Sequence, residues 1–286
     1  MAMMDPRTIG AHIRMHKPDL SSLELKVLEN IIARKDFSEQ TSLKEIAEEN
    51  QVSEAMIVKI AKKLEFNGFR EFRSNLVLYR QLDVSRLFNE ISAQDNVLQL
   101  IDKVFGNSMQ ALEETKTLLN PDELNACADL LAGAGEILLF GMGGSAVIGA
   151  DLAHKFLRIG IRSQVLCDTH LMLMSASVCT EKSVVLAVSH SGRTIDVIEA
   201  VKIAKACGAR VIVVTNYANS PITQSADIVL TSTAQGSMFL GENAAARIAM
   251  LIILDVLFVA VAQRNLKRSE ENLIRTRSAV EDKRIK

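Results

Sequence analysis

Ser189, His190, Ser191, Gly192, Arg193 and Thr194 follow one another directly after the apolar run VVLAV and directly before the helical pattern of residues 195–206. Three hydroxyls and a glycine at the end of a buried strand supply hydrogen-bond donors and a close backbone approach without a lysine. Where a strand gives way to a helix, the first backbone N–H groups are unpaired and the helix dipole is positive, which favours an anion. A phosphomonoester carries about −1.5 to −2 charges near neutral pH and several acceptor oxygens, so it suits such a ring of donors. The spacing predicts phosphate binding by Ser189, Ser191 and Thr194 with the backbone of Gly192. His190, between two of the serines, is read as shaping the loop.

A second junction of the same kind lies upstream. The run EILLF gives way to a glycine turn, Gly141, Gly143 and Gly144, and a helix opens at Ser145. GMGGSA lacks the GK[ST] of a nucleoside-triphosphate loop and is only loosely like a dinucleotide fingerprint. No acidic residue closes the next strand in the usual ribose position, since Asp168 comes only after Cys167. Two hydroxyl-bearing strand ends in one sheet favour a monophosphorylated small molecule over a dinucleotide. No cofactor and no metal are expected.

Residues 43–64, LKEIAEENQVSEAMIVKIAKKL, carry a different chemistry. Ile46 and Ala47 face inward on a first helix, and the small Ala47 lets a second helix cross closely. Asn50 and Gln51 make the turn, with Asn50 expected to absorb the left-handed backbone for which such motifs commonly use glycine. Val52, Ile57, Ile60 and Leu64 form the buried stripe of the second helix. Its outer face is then Ser53, Glu54, Ala55, Val58, Lys59 and Lys62. That face suits a DNA major groove, with Lys59 and Lys62 reaching phosphate or guanine and Ala55 and Val58 touching thymine methyls. A small helical bundle that binds nothing has the same spacing, so the pattern alone leaves both readings open.

The elements that must hold these groups fall into two patterns. Up to about residue 80 the chain reads as short capped helices, with Ser21 or Ser22 before one and Ser42 three residues ahead of Glu45, a capping-box spacing. From residue 137 onward, runs rich in Ile, Val and Leu alternate with helical periods, the signature of a parallel sheet covered by helices. Asn120, Pro121 and Glu123 open a fresh helix between the two, again with the spacing of a capping box. The predicted division is a helix-turn-helix domain over residues 1–80, a helical linker over 81–120, and an α/β domain with a C-terminal helix over 121–286. A chain of 286 residues with 48% apolar side chains can build two cores. Its net charge of −1 argues against bulk polyelectrolyte attraction, so DNA binding would rest on local lysines.

Four widely spaced cysteines without a CxxC pair are expected to be buried, reduced thiols rather than disulfides or zinc ligands. The N-terminal residues contain no apolar signal core. The most apolar stretch, residues 244–263, is interrupted by Arg247 and Asp255. It is expected to be a helix buried on most sides in a cytoplasmic protein, not a membrane span.

GMGGSA and SHSGRT make residues from about 130 to 261 resemble a SIS (sugar isomerase) domain. With VSEAMIVKIAKKLEFNGFREFR ahead of it, nearly the whole chain resembles the RpiR family of bacterial transcriptional regulators. The resemblance implies an α/β chain: an all-α helix-turn-helix domain, then a flavodoxin-like parallel sheet flanked by helices. It implies operator DNA and a phosphorylated sugar as partners, with ribose 5-phosphate or allose 6-phosphate as first candidates, and a homodimer or homotetramer acting as a repressor of sugar catabolism genes. The phosphate-binding hydroxyls carry over to Ser145, Ser189, Ser191 and Thr194. The resemblance also places His170 against the sugar, and puts Glu242 and Arg247 on a segment that can reach a neighbouring subunit's site.

Isomerase members use a glutamate in that segment as a base. An aldose–ketose phosphate isomerase with an accessory helical head is therefore the alternative, with Glu242 and His170 serving proton transfer and ring opening. A DNA motif on the same chain makes regulation without catalysis the more economical reading.

Overall fold

Ser21 Oγ accepts the Glu24 N–H while the Glu24 carboxylate accepts the Ser21 N–H, and that reciprocal pair starts α2 (Ser22–Ala33). In the computed structural model, which describes residues 9–34, 36–83, 91–233 and 244–283, Ser42 and Glu45 repeat the box at α3 (Leu43–Glu49). Ser53 Oγ takes the Met56 N–H to open α4 (Glu54–Lys63). With α1 (Ile9–His16) and α5 (Phe69–Asp83), these helices close over Leu28, Ile31, Ile46, Ala47, Ile57, Ile60, Leu64 and Phe72. The apolar stripes expected of α3 and α4 are those that form this core.

A third capping box, Asn96 with Gln99, starts the long α6 (Val97–Leu118). It runs along α11 (Ala244–Arg264), where Ala111 meets Ala245 and Ala249 and the two backbones come close. Asn120 caps α7 (Pro121–Gly133), but its side chain accepts from the Asp122 N–H, one residue short of the box expected with Glu123.

Among the described residues, five parallel strands follow: β1 (Glu136–Phe140), β2 (Gln164–Leu166), β3 (Ser183–Val188), β4 (Arg210–Thr215) and β5 (Ile228–Thr231). Their order across the sheet is β2-β1-β3-β4-β5. The strands are almost unbroken aliphatic runs because helices cover both faces. On one face Leu139, Leu186 and Ile212 meet α7, α8 (Gly144–Arg158) and α11. On the other, Leu138, Val185 and Val213 meet α9 (Thr169–Ser177) and α10 (Ile195–Ala206). The order reverses between β1 and β3, and in open parallel sheets ligands bind beyond the carboxyl ends of the strands at that reversal. The glycine turn after β1 and the serine loop after β3 stand there side by side.

Two expectations change. The helix α11 is not buried on most sides: Ile248, Ile252, Val256 and Val259 are 41 to 51% exposed in a stripe at helical spacing, while Met250, Ile253, Leu254 and Leu257 enter the sheet core. Its length and apolarity would suffice to cross a bilayer, but its inner side packs into the core between the sheet, α7 and α8. Of the cysteines, Cys127 and Cys179 are buried, whereas Cys167 is exposed and Cys207 half-buried.

Candidate functional site

The chain leaves β3 still tied to the sheet, because the Ser189 N–H donates to the Val214 carbonyl of β4 at 3.0 Å. Gly192 then turns the loop in the left-handed region at φ +62°. A Cβ at that position would lie 2.1 Å from Ser220 Oγ and 2.4 Å from Ser220 Cβ, so only glycine fits. Ser220 comes from the loop after β4, which braces the serine loop twice more: Asn216 N–H donates to the His190 carbonyl at 3.1 Å and Ile222 N–H to the Gly192 carbonyl at 3.2 Å.

Ser189 and Ser220 are 3% and 2% exposed, and neither hydroxyl has a hydrogen-bond partner among the described residues. A buried polar group left unpaired costs about 1–3 kcal/mol, which a ligand rich in acceptors would recover. Thr194 is the N-cap of α10, yet its hydroxyl makes no capping bond, so both it and the first-turn N–H groups remain available to an anion. Ser191 Oγ accepts the Arg193 N–H at 3.2 Å, which leaves its own proton to donate.

After β1, Gly143 (φ +53°) is the N-cap of α8 and offers no side chain to cap it. Ser145 is the second residue of that helix and half-buried. Arg247, exposed on the first turns of α11, reaches over this turn: a Cβ on Gly144 would be 3.9 Å from Arg247 Nε. Parallel pairing of β1 with β3 sets the turn that carries Ser145 beside the loop of Ser189, Ser191, Gly192 and Thr194, and Arg247 meets that turn at Gly144. His170 lies one strand further out, in the first turn of α9 after β2, and is exposed. Glu242 lies outside the described residues. Ser220 was not singled out from the sequence, although TNYANS after VIVV is a third strand end rich in hydroxyls and amides.

In the helical head, Gln51 and not Asn50 carries the left-handed backbone. Gln51 has φ +55°, whereas Asn50 sits at φ −90°, ψ 0° and donates through Nδ2 to the Ile46 carbonyl. The turn therefore keeps the conformation that glycine commonly supplies, with a glutamine held in it. Replacing Gln51 with Gly should stabilise the chain by about 0.5–1 kcal/mol, because a Cβ is disfavoured in that region. A higher unfolding midpoint in urea checks it.

Ser53, Glu54, Ala55, Lys59 and Lys62 are exposed and Val58 half-buried, all on the outward face of α4. With Lys63, three of these side chains and Ala55 line an open groove. Lys59 Nζ lies 3.2 Å from Glu24 Oε1 and Lys63 Nζ 2.7 Å from Glu24 Oε2, so the buried carboxylate of α2 anchors two lysines of α4. Lys62 has no carboxylate within ion-pair distance among the described residues.

Burial alone would raise the Glu24 pKa, but hydrogen bonds from Lys63, the Ser21 N–H and Lys59 outweigh it and hold the group at about 2. Its folded value is thus depressed, so the stability it contributes is present above about pH 4.5 and drains away as pH falls towards 2. Glu24→Gln should lower the melting temperature at pH 7 and flatten its fall between about pH 4.5 and pH 2, the window set by those two values.

A bundle with a helix-turn-helix, joined to a parallel sheet of this order with a hydroxyl-lined crevice at its reversal, defines a two-module helix-turn-helix protein with a SIS-type second module. Residues 8–81 match the helix-turn-helix domain of the rpiR family and residues 130–260 match the SIS domain. The chain is 40% identical over 278 residues to the HTH-type transcriptional regulator RpiR of Escherichia coli strain K12, which covers 96% of this chain and 94% of that protein. It belongs to the rpiR family of HTH-type transcriptional regulators.

Two solved structures share its fold. The Vibrio vulnificus NanR protein complexed with ManNAc-6P superposes with a TM-score of 0.63 at 23% identity, over 97% of this chain and 100% of that one. The sugar isomerase domain of an RpiR transcription factor from Sphaerobacter thermophilus does so with a TM-score of 0.58 at 23% identity, over 62% and 98%.

Proposed function

We propose that this chain is a cytoplasmic transcriptional repressor of sugar catabolism genes that responds to a phosphorylated sugar. Residues 1–80 read operator DNA through Ser53, Glu54, Ala55, Val58, Lys59 and Lys62. Residues 81–120 link that head to a sensor over 121–286. There Ser145, Ser189, Ser191, Gly192 and Thr194 take the phosphate, and His170, Glu242 and Arg247 face the sugar. The observation that carries this reading is the pair of buried, unpartnered hydroxyls, Ser189 at the carboxyl end of β3 beside the β1/β3 reversal and Ser220 on the loop after β4 that packs against Gly192. The bound ManNAc-6P of the structurally similar NanR and the regulator named RpiR among the relatives support it. The relatives' names favour regulation over isomerisation.

Two neighbouring residues of α6 connect the modules. Thr115 Oγ1 donates to the Thr233 carbonyl at 3.3 Å and accepts the Thr233 N–H at 3.1 Å, two residues past the end of β5. Glu114, 1% exposed, pairs with Arg14 of α1 and accepts from Gln110 Nε2 at 2.8 Å. A ligand that shifts the strand ends thereby moves α6 and with it the head. Two heads must match the spacing of two half-sites, so such a shift alters DNA affinity. The exposed stripe on α11, with Leu98, Ile101, Phe105 and Met109 on α6, offers the apolar surface that a homodimer or homotetramer would cover.

The test is to recover the genomic fragments that the full-length chain retains and then to add ribose 5-phosphate or allose 6-phosphate. Release by one of them is expected; retention in the presence of every phosphorylated sugar, or turnover of one, contradicts the reading. Operator affinity should fall log-linearly with salt, and Lys62→Ala should weaken binding across all sequences while reducing the salt slope by about 1. An unaltered slope would remove Lys62 from the DNA contacts.

A further inference from the structure

We infer that His12, His16 and Glu65 form a binding site for a divalent transition-metal ion of the zinc type, which clamps α1 to the end of the recognition helix α4. His12 and His16 stand four residues apart on α1, so their rings share one face, with centroids 4.6 Å apart. One nitrogen of each ring is fixed by a backbone carbonyl: His12 Nε2 donates to the Leu64 carbonyl at 2.7 Å and His16 Nδ1 to the His12 carbonyl at 2.8 Å. A carbonyl only accepts, so those nitrogens carry protons, and in the neutral ring the other nitrogen has the lone pair a metal needs. Imidazoles held through their second nitrogen in this way are oriented as metal ligands are.

Glu65 supplies the third donor. Its Oε2 lies 3.4 Å from His16 Nε2, and one donor atom from each of the three residues lies within 4.8 Å of the others. Zinc bonds of about 2.0–2.2 Å put tetrahedral donors roughly 3.3 Å apart, so the His16–Glu65 pair already has the spacing. His12 is half-buried and held by Leu64, whereas Glu65 is exposed, so it is the Glu65 side chain that must turn to close the rest. Two imidazoles and one carboxylate suit zinc, with a fourth position open to water.

The backbone at Glu65 points the same way. Helix α4 ends with the Phe66 N–H on the Ala61 carbonyl at 3.0 Å and the Glu65 N–H on the Lys62 carbonyl at 2.9 Å, a Schellman motif. Its left-handed position, where glycine is the usual residue, is taken by Glu65 at φ +60°. A carboxylate kept in a conformation that a Cβ disfavours signals a use for that carboxylate.

Zinc titrated into the full-length chain against a chromophoric chelator tests the site. The wild type should hold one more tight zinc per chain than His16→Ala, and His12→Ala and Glu65→Gln should weaken that ion at least tenfold. Glu65→Gly should lose it equally yet melt, in excess chelator, at or above the wild-type temperature, because glycine relieves the backbone. Zinc should raise the melting temperature of the wild type and leave that of Glu65→Gly unmoved. Zinc stoichiometry and affinity that are the same in the wild type, His12→Ala and Glu65→Gly, or no tight zinc in the wild type, would overturn the inference.

Discussion

Gly192→Ala removes sugar-phosphate binding and lowers the stability of the chain by about 2–4 kcal/mol, the sum of a left-handed backbone with a Cβ and an overpacked contact. The contact is with Ser220, whose Oγ and Cβ lie 2.1 and 2.4 Å from the new methyl position. Neither side can give way easily: Ser220 is 2% exposed, and its loop is held to the serine loop by the Asn216 and Ile222 backbone bonds. The loop therefore moves as a unit, and the hydroxyls of Ser189 and Ser191 move with it. Denaturant unfolding and calorimetric titration of the same variant read the two effects separately. The double change Gly192→Ala with Ser220→Gly makes room for the methyl and should recover part of the stability. It should not recover binding, because the left-handed strain and the loss of the Ser220 hydroxyl both persist.

Glu114→Leu has a comparably large effect through the other module. It removes the carboxylate paired with Arg14, whose side chain is 18% exposed. Removing one partner of a buried pair costs about 3–5 kcal/mol, and the residual solvent contact of Arg14 places this case near the lower end. Arg14→Met with Glu114→Leu should return most of that stability, since paired apolar replacements of buried ion pairs are close to neutral. The double variant should bind DNA and sugar phosphate separately, yet the sugar should no longer shift DNA affinity. A double variant that still releases DNA on sugar addition would show that the signal does not pass through Glu114.

The alternation of aliphatic runs with helical periods made the α/β layer legible, because strands buried on both faces leave no choice but Val, Ile and Leu. The serine loop was legible for a related reason: Ser189, Ser191 and Thr194 are contiguous and sit at the one kind of junction where helix dipole and unpaired N–H groups coincide. Ser220 was not, since its place depends on β3 pairing with β4, and that adjacency brings in a loop 28 residues downstream of Gly192. The Arg14–Glu114 pair spans 100 positions, and no local pattern encodes it. The turn of the head was read one residue early, because Asn tolerates the left-handed region better than Gln in isolation; here Asn50 is instead held by Ile46 and Asn30, and Gln51 takes the turn. The exposed stripe on α11 was hidden by a sequence apolar on every side, which does not distinguish a sheet-facing surface from one awaiting a partner.

Calorimetric titration of ribose 5-phosphate, allose 6-phosphate and their unphosphorylated sugars into the wild type and Ser189→Ala bears most directly on the cradle. At least one phosphate ester should bind once per chain, its parent sugar should not, and Ser189→Ala should weaken the ester roughly 10- to 150-fold, the worth of one hydrogen bond to a charged group. Equal affinity in the wild type and Ser189→Ala, or equal binding of ester and parent sugar, would place the anion somewhere other than the ends of β1 and β3.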